Sequence, residues 1–436
     1  MDSWEVVVVG AGPAGLMAAC GAARRGRRTL LVEKNRAAGA KILLSGGSRC
    51  NLTHACPPSG IREAFGPQGR FLHSALAALG PEEVVEWFEA EGVATKVESG
   101  GKVFPKTDRA ADVLAALVAR LQRSGAATAF GEPISRIERT DEGLRLVTPQ
   151  RTLLAQSVVL ATGGMSYPTS GSTGDGYHWA TTLGHAVVTP RPALVPITTH
   201  AEWVRQLQGI TLADVRLRVV EGKKVSGARC QVSGVRCQVP GARYQGAGGD
   251  SSCLAQRRGA ILFTHFGVSG PAALDISRVV SGHSESDTLV LECDLAPDTS
   301  AETVEATIRQ MCPTDGRRLA VGILETWVPQ RLARTIAGQA GVAPDRRAAE
   351  LTRGERQSLV GRLKRLEIPV AGTMGFRKAE VTAGGVALEE VDSSTLQSRR
   401  VPGLYFAGEI LDLDGPIGGY NFQAAFSTGW LAGRNA

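Results

Sequence analysis

Three glycines near the start of the chain have the spacing of a dinucleotide-binding turn. Gly10, Gly12 and Gly15 fit G-x-G-x-x-G and follow an apolar run that begins at Val6. In this pattern the first glycine permits the tight turn, the second lets the backbone approach a pyrophosphate, and the third lets helix and strand pack closely. The free N–H groups and the positive dipole end of a helix N-terminus would face that pyrophosphate.

The residues around this turn complete a βαβ unit. The apolar runs 6–9 and 29–32 predict two parallel strands, and the small residues from Ala14 to about Arg25 predict the helix between them. The second strand ends in Glu33, about twenty residues after the glycines, where a carboxylate accepts hydrogen bonds from ribose hydroxyls. An acidic residue at this position argues against a 2′-phosphate on the bound nucleotide.

Length and composition indicate a globular protein with several domains. A chain of 436 residues is too long for one compact core. No apolar run reaches the ~18 residues that span a bilayer, and the eight cysteines show no C-x-x-C pair and no metal-ligand spacing. The first strand starts almost at once, without a charged n-region or cleavage site, so we expect a cytoplasmic protein without disulfides.

The chain is basic, with a net charge of +7 and a pI of about 9.1. Its arginines fall in short clusters at 24–25, 27–28, 317–318, 346–347 and 399–400. One interpretation is a polyanionic partner such as RNA. The other is a bias towards arginine on solvated faces, and composition alone favours this second interpretation.

The first 190 residues alternate between predicted strands and helices. Pro81 followed by two glutamates is a typical helix start. Helices are expected at 68–79, 81–91 and 110–123, and a second buried strand is expected at 157–164.

The pattern changes after Pro190. Residues 191–296 are predicted to be rich in strands with little helix, and 300–366 to be helical, with Pro329 breaking or kinking a helix. An imperfect seven-residue repeat at 227–247 predicts a long loop or an extended hairpin.

The C-terminal tail returns to α/β character. GLYFAGEIL predicts a strand that ends in Gly408-Glu409, and Gly418-Gly419 begins a helix of small residues. That helix would bring a second helix N-terminus towards the cofactor. We therefore expect a discontinuous dinucleotide domain built from both ends of the chain, with a strand-rich and helical insert between them.

Several segments together resemble one family. GAGPAGLMAA, GAKILLSGGSRCNLTH and GLYFAGEILDLDGPIGGYNFQAAF, in this order, resemble the BaiN/YhiN-type flavoproteins. KVFPKTDRAADVL, LATGGMSYPTSGSTGDGY, ILFTHFGVSGPAAL and VTAGGV extend the resemblance over nearly the whole chain. Two positions depart from the family pattern and concern substrate choice: Ala40 stands where a basic residue is usual, and Ser48 replaces the third glycine of S-G-G-G-R-C-N.

The resemblance implies an α/β fold with a glutathione-reductase-like FAD-binding Rossmann domain over 1–190 and 380–436. It also implies a β-barrel-like insert domain over 191–296 and 367–379, and a small helical subdomain over 297–366. FAD is the implied cofactor and NAD(P)H the implied reductant. The family includes proteins that reduce a uridine of large-subunit ribosomal RNA to dihydrouridine and proteins that reduce bile-acid or steroid enones; an amine-oxidase activity is ascribed to other relatives.

The resemblance also implies the FAD contacts. Gly408-Glu409 would lie beside the pyrophosphate and ribityl chain, and the first N–H groups of the last helix would stabilise negative charge on the reduced flavin. The residues expected to contact FAD are Gly10, Gly12, Pro13, Ala14, Gly15, Glu33, Lys34, Lys41, Ser45, Gly46, Gly47, Asn51, Ala161, Thr162, Gly163, Gly164, Gly408, Glu409, Gly418, Gly419, Tyr420 and Asn421.

Candidate catalytic residues follow from the chemistry of C=C reduction, in which one carbon receives a hydride and an acid protonates the other. Cys50, Tyr420 or a water are the candidate acids, although Cys50 also fits a small buried thiol that packs under the flavin. Arg49 would support an anionic substrate or the flavin carbonyls. His265 is either a substrate contact or a structural hydrogen-bonding group.

The expected substrate is a ribosomal RNA uridine, which the family resemblance and the pI of about 9.1 together favour. A small enone or an amine oxidised with O₂ are the alternatives. Neither a membrane, a metal site nor a Ser-His-Asp hydrolase is indicated.

Overall fold

The computed structural model describes residues 2–225, 231–232, 235–236, 243–245, 253–312 and 318–436. The chain divides into two compact units, Met1–Pro192 with Phe376–Ala436, and Ala193–Gly375. The expected α/β class with a parallel Rossmann-like sheet is confirmed. Among the described residues, no helix combines the length and hydropathy needed to cross a bilayer.

The strands are β1 (Asp2–Val9), β2 (Thr29–Glu33), β3 (Thr53–His54), β4 (Thr95–Val97), β5 (Lys102–Pro105), β6 (Ala127–Phe130), β7 (Arg136–Thr140), β8 (Gly143–Val147), β9 (Thr152–Leu160), β10 (Val187–Ala193), β11 (Ile197–Thr198), β12 (Thr211–Glu221), β13 (Lys223–Val225), β14 (Gln231–Val232), β15 (Val235–Arg236), β16 (Arg243–Gln245), β17 (Cys253–Phe263), β18 (Gly267–Ser269), β19 (Leu289–Asp294), β20 (Leu366–Pro369), β21 (Gly372–Thr373), β22 (Val381–Val386) and β23 (Leu404–Phe406).

The helices are α1 (Pro13–Arg24), α2 (Ala40–Leu44), α3 (Pro58–Ala64), α4 (His73–Ala78), α5 (Pro81–Ala90), α6 (Ala110–Ser124), α7 (Asp175–Thr182), α8 (Glu202–Gln206), α9 (Pro271–Gly282), α10 (Ala301–Met311), α11 (Ala320–Leu324), α12 (Gln330–Gln339), α13 (Arg353–Lys364) and α14 (Tyr420–Asn435).

A parallel sheet forms the centre of the first unit. Its strands run in the order β6-β2-β1-β9, and β23 pairs in parallel with the second half of β9. The hairpin β7-β8 extends the sheet by antiparallel pairing with the first half of β9. The last four residues of β1 are buried valines, as expected for a strand that is covered on both faces.

Helices α1 and α14 join the two ends of the chain in this unit. A Cβ on Gly429 would overlap the Ala14 carbonyl oxygen, and a Cβ on Gly433 would overlap that of Ala18. Because both contacts advance by four residues in the same direction, the two helices lie side by side and point the same way. Tyr420 begins α14 nine residues before Gly429, so its N-terminus lies about 13 Å beyond the level of Ala14.

The second unit contains a sheet in the order β20-β19-β12-β17-β18-β11-β21, with antiparallel neighbours. Helices α8 to α13 belong to this unit, and the buried residues of the sheet and helices form one hydrophobic core. The predicted division of this region into a β-rich domain and a helical subdomain stays a prediction.

Most of the predicted elements are confirmed, and several bounds are corrected. Helices α5 and α6 occupy the predicted positions, and Pro329 separates α11 from α12. The helix expected at 68–79 was wrong in its first half, because Gly66–Leu72 form 3₁₀ turns and α4 begins only at His73. The strand expected at 157–164 begins earlier and ends at Leu160, before the glycines.

The expectation of little helix in 191–296 was wrong for α9. Pro271 at its first turn is a helix-start signal, and its buried face carries small and branched residues that also suit a strand. In the repeat at 227–247, β14 pairs antiparallel with β15, and β16 pairs antiparallel with β13, which precedes the repeat, as in an extended hairpin. The rest of the repeat lies outside the described residues.

Candidate functional site

In the glycine turn between β1 and α1, the backbone contacts of Gly10 and Gly15 leave no room for a side chain. Gly10 has a φ of +100°, and a Cβ there would lie 2.6 Å from the Ala161 carbonyl oxygen. A Cβ on Gly15 would overlap the Gly10 carbonyl oxygen, so the third glycine lets α1 approach the turn. A Cβ on Gly12 would meet nothing within 4 Å. The second glycine therefore faces open space at the helix N-terminus.

This N-terminus has the donors that a pyrophosphate needs. Gly12 is the N-cap and brings no side chain to the first-turn N–H groups, and Pro13 occupies the first helical position. The carboxylate of Glu33 is buried and accepts hydrogen bonds from the N–H groups of Ala11, at 2.7 Å, and Asn35, at 2.8 Å. Glu33 thus fixes the turn, and its role towards a ribose stays a prediction.

The segment Ser45–Asn51 has an unusual backbone. Gly46, Gly47, Ser48 and Cys50 all have positive φ values, between 56° and 67°. For Ser48 and Cys50 this conformation is uncommon and costs free energy. Ser48 thus adopts a left-handed backbone conformation that glycine adopts without a steric cost. The segment curls tightly, and a Cβ on Gly47 would meet nothing within 4 Å.

Cys50 lies in the hydrophobic core beneath this segment and has no exposed surface. Burial raises the pKa of its thiol to about 12, and a hydrogen bond with Ser45 opposes the rise only in part. The thiol therefore keeps its proton at neutral pH. This position matches a packing thiol, and a role as the acid stays a prediction without a route to a substrate.

Arg49 forms ion pairs with protein carboxylates in this structure. Its guanidinium lies 2.8 Å from Glu98 and 3.3 Å from Asp108, and it stacks over the Phe104 ring at 4.0 Å. Lys96 also pairs with Asp108, at 2.5 Å. These hydrogen bonds raise the pKa of Arg49 and lower that of Asp108. Arg49 thus ties the Ser45–Asn51 segment to the β4-β5 hairpin.

Lys41 and Glu409 meet across 368 residues of sequence and form an ion pair. Lys41 also donates to the Ser166 hydroxyl at 2.6 Å, and Ser166 donates to Glu409 at 2.7 Å. The Thr382 N–H donates to the same carboxylate oxygen at 2.9 Å. Two residues that were predicted to contact FAD are therefore part of one hydrogen-bonded network, in which Ser166 and Thr382 are partners that sequence reasoning missed.

The Ala161–Gly164 segment follows β9 and packs against this network. A Cβ on Gly164 would overlap the Thr382 hydroxyl, and it would lie 2.9 Å from Glu409. Glycine is therefore required here by protein neighbours. The Thr162 hydroxyl is buried and lies against Gly176 on α7.

Two further residues that were predicted to contact FAD, Lys34 and Gly408, contact other residues of the protein. Lys34 pairs with Asp175 at 2.7 Å, at the start of α7. Gly408 has a φ of +76°, and a Cβ there would lie 2.8 Å from the Ala14 side chain. Gly408 therefore holds the end of β23 against the glycine turn.

The N-terminus of α14 is the second helix end of the site. Gly418 and Gly419 have φ values of +137° and +95°, and Gly419 is the N-cap. The Asn421 side chain closes the preceding loop by accepting from the Gly415 N–H at 2.8 Å and donating to the Gly415 carbonyl at 2.9 Å. Beside Gly419, the Asn51 Oδ1 atom is buried without a hydrogen-bond partner among the described residues.

His54 is a site residue that sequence reasoning missed. Its ring stacks on Tyr420, with centroids 4.7 Å apart, and its Nδ1 lies 3.2 Å from the Gly418 carbonyl oxygen. A Cβ on Gly101 would lie 2.5 Å from its Nε2. The available signal was the motif NLTH, which begins at Asn51, the last residue of the Ser45–Asn51 segment.

His265 belongs to the second unit, in the loop between β17 and β18. It is exposed, and its ring packs edge-on against Phe266 with centroids 4.9 Å apart. Its role stays a prediction. Within the described ranges, no group of three or more His, Cys, Asp or Glu side chains is placed to hold a metal ion.

Comparison with known proteins assigns this architecture. The model of the HI0933-like protein Rossmann domain matches residues 4–435. The chain belongs to the HI0933-like family. This is a family of flavin-dependent oxidoreductases with an FAD-binding Rossmann domain, as the sequence resemblance implied.

Three relatives are similar over almost their whole length. The ribosomal RNA dihydrouridine synthase of Escherichia coli (strain K12) is 31% identical over 435 residues, 100% of this chain and 98% of the relative. The protein of that name from Haemophilus influenzae is 30% identical over 98% of this chain and 96% of the relative. The 3-dehydro-bile acid delta(4,6)-reductase of Clostridium scindens is 29% identical over 99% of this chain and 98% of the relative.

The geometry fits a flavin dinucleotide. Two helix N-termini point the same way about 13 Å apart along their axes, each with a glycine N-cap. Helix N-termini attract negative charge, which the pyrophosphate and a reduced flavin both carry. Gly12 and Gly47 leave the backbone open, and the Asn51 amide offers a buried oxygen that no described residue hydrogen-bonds.

Proposed function

We propose that this protein binds FAD with its pyrophosphate at the N-terminus of α1 and its isoalloxazine ring at the N-terminus of α14. Membership of the family supports FAD as the cofactor, and the N-termini of the two parallel helices support these positions for its pyrophosphate and its ring. When bound, FAD supplies hydride chemistry. The chain would contribute the first-turn N–H groups, which stabilise negative charge without reorganising, and the Ser45–Asn51 segment, which would help to hold the cofactor.

The reaction that we propose is the NAD(P)H-dependent reduction of a C=C bond conjugated to a carbonyl group. The two kinds of relative named above share this chemistry. Dihydrouridine is uridine with its ring C=C bond reduced, and a delta(4,6)-reductase reduces C=C bonds of a steroid enone. Both kinds of relative match this chain from end to end at about 30% identity.

As substrate we propose a uridine of large-subunit ribosomal RNA, modified in the cytoplasm. The single observation that carries this choice is the full-length similarity to two ribosomal RNA dihydrouridine synthases from different bacteria. The net charge of +7 agrees with a polyanionic substrate, and most of the excess falls in the second unit.

Some arginines of the sequence clusters form ion pairs within the protein. Arg27 pairs with Glu5, Arg346 with Glu355, and Arg400 with Glu390. These ion pairs neutralise part of the positive charge that, from the sequence, could have contacted RNA.

A group of exposed arginines in the second unit stays on the surface. Arg331 and Arg334 stand three residues apart on α12, on neighbouring faces of the helix. The Arg331 guanidinium donates to the carbonyl oxygens of Gln206 and Gln208, and Gln206 directly follows the exposed Arg205 on α8. Arg205, Arg331 and Arg334 form a basic patch, and phosphate contacts of this kind set RNA affinity.

A small enone is the second candidate substrate, favoured by the similarity to the bile acid reductase. The two substrates differ in their dependence on salt. If six or more phosphates are contacted, RNA affinity falls by several decades between about 50 and 200 mM salt, whereas an uncharged enone loses little.

The deciding experiment is mass spectrometry of ribosomal RNA from a strain in which the gene is deleted. We expect one dihydrouridine of the large-subunit RNA to disappear and to return on complementation. Arg334→Glu should weaken binding of the purified protein to the RNA fragment that contains this uridine. Arg139→Glu, the same charge change on an exposed arginine of the first unit, should not. An unchanged set of dihydrouridines would contradict the RNA substrate and favour the enone.

A further inference from the structure

Two ionisable side chains of the first unit form a hydrogen-bonded pair to which the function above gives no role. The Tyr167 hydroxyl donates a hydrogen bond to Glu380 Oε1 at 3.1 Å. Tyr167 follows the glycine segment after β9, and Glu380 directly precedes β22, so the bond joins stretches 213 residues apart. Both side chains are half-buried.

We propose that Tyr167 and Glu380 form a proton relay, in which Tyr167 delivers the proton that completes reduction of the substrate. The inference rests on the proposed function, because it names the acid that this reaction needs. As the C=C π bond breaks, one carbon accepts a hydride whose electrons come from NAD(P)H, and the other takes the proton of the Tyr167 O–H bond. The phenolate then takes the proton of the Glu380 carboxylic acid, and solvent reprotonates Glu380.

The backbone holds Tyr167 in a strained position. Its φ of +50° lies in the left-handed region, which is unfavourable for a residue with a side chain and persists only where the surroundings hold it. Its N–H donates to the Phe376 carbonyl at 3.0 Å, and the N–H groups of Met165 and Ser166 donate to the Thr382 hydroxyl. Strain of this kind concentrates at functional sites.

The pair lies next to the network of Lys41 and Glu409. Ser166, the neighbour of Tyr167 in sequence, donates to Glu409, and the charges of Lys41 and Glu409 both act on Glu380. The relay thus lies beside the network that unites two residues of the FAD motifs. Because Tyr167 is only half-buried, part of its side chain remains accessible, as an acid that protonates a substrate must be.

The surroundings of Tyr167 and Glu380 favour the protonated form of both side chains. Burial raises the pKa of Glu380; the hydrogen bond from Tyr167 and the charge of Lys41 oppose this rise, and the charge of Glu409 adds to it. Burial also raises the pKa of Tyr167 to about 12, together with the charge of Glu380. Both groups therefore hold protons more tightly than in water. Cys50, by contrast, has no exposed surface through which to pass its proton.

The first test separates the two half-reactions in Tyr167→Phe and Glu380→Gln. Reduction of the bound flavin by NADPH should keep its rate. Reoxidation by a 3-oxo-4-ene steroid or by a ribosomal RNA fragment should slow by 10²-fold or more in Tyr167→Phe, in line with the usual contribution of a positioned acid. Glu380→Gln should slow it less and alter its pH profile. Unchanged reoxidation in Tyr167→Phe would overturn the relay.

The matched control is Tyr405→Phe. Its hydroxyl donates to the Asn435 carbonyl at 2.8 Å, outside the network. This variant loses one tyrosine hydroxyl and one hydrogen bond, as Tyr167→Phe does, and should react like the wild type. Equal slowing in both variants would point to a structural cause and overturn the relay.

A second test needs no substrate. In infrared spectra, one carboxyl group of the holoprotein should titrate above the ordinary glutamate range. That signal should vanish in Glu380→Gln and shift in Tyr167→Phe. If no such group exists, the relay is overturned. If the wild-type flavin is reoxidised by neither probe, the proposed function fails, and this titration alone decides on the relay.

Discussion

The two units use their helical glycines in opposite ways. In the first unit, Gly15 on α1 and Gly429 and Gly433 on α14 lie against backbone carbonyl oxygens, where a Cβ would overlap them. In the second unit, a Cβ on Gly338 of α12 or Gly361 of α13 would meet nothing within 4 Å. In the first unit, α1 and α14 therefore pack by close backbone approach, whereas α12 and α13 of the second unit place no such demand on Gly338 and Gly361.

This difference explains why the glycines around α1 and α14 form recognisable motifs, whereas those of α12 and α13 do not. A glycine that is forced by a backbone contact has a fixed spacing from its neighbours, and that spacing is what a motif records. An apolar core accepts many combinations of residues of the right size. Mutations of the glycines test this contrast most directly.

The largest effect is expected for Gly429→Ala. The added methyl group would overlap the Ala14 carbonyl oxygen, so α1 and α14 must separate. Overpacking against backbone should lower the free energy of unfolding by about 3 kcal/mol or more. Chemical denaturation measures this change, and loss of the yellow colour should accompany it. A variant with wild-type stability would show that close helix approach does not hold the first unit together.

The next largest effect is expected for Lys41→Met. It leaves Glu409 without its cation, while about a fifth of each side chain is exposed. Breaking such a mostly buried pair should cost about 2–3 kcal/mol and weaken FAD retention. Lys34→Met is the matched control, because its pair with Asp175 is more exposed and should matter less. Equal losses in the two variants would contradict the role of the Lys41–Glu409 network.

A stabilising change is expected for Gly361→Ala in the second unit. Gly361 is exposed within α13, and its Cβ position is open. Alanine in a helix interior is favoured over glycine by about 0.5–1 kcal/mol. Thermal unfolding of the holoprotein should therefore move upwards or stay level. Destabilisation would show that close contacts also constrain the helical glycines of the second unit.

The smallest effect is expected for Glu380→Gln, and it depends on pH. Because the pKa of Glu380 is raised in the folded protein, its carboxyl stabilises the fold fully below the ordinary glutamate range. That contribution is lost as the pH rises through the raised pKa. The variant should therefore gain stability relative to the wild type from pH 4 to pH 8, as followed by denaturation midpoints. A pH-independent difference would contradict the raised pKa.

The sequence predicted the positions of the site's backbone motifs better than the side-chain contacts between distant parts of the chain. Gly10, Gly15 and Glu33 lie where the fingerprint put them, because a βαβ unit fixes their positions locally. The partner of Lys41 is 368 residues away, and no local pattern encodes such a pairing. Arg49 was expected to face a substrate or the flavin, and no motif could show that Glu98 and Asp108 contact it.

The packing of α14 against α1 determines when the first unit can fold during synthesis. The second unit is one continuous stretch with a core of its own, so it can fold while the ribosome is still synthesising the rest of the chain. The first unit needs α14, which follows the second unit in the sequence, and is therefore completed only after α14 has been synthesised. Cofactor loading should then follow the synthesis of α14, and a nascent chain stalled before Gly429 should carry no flavin.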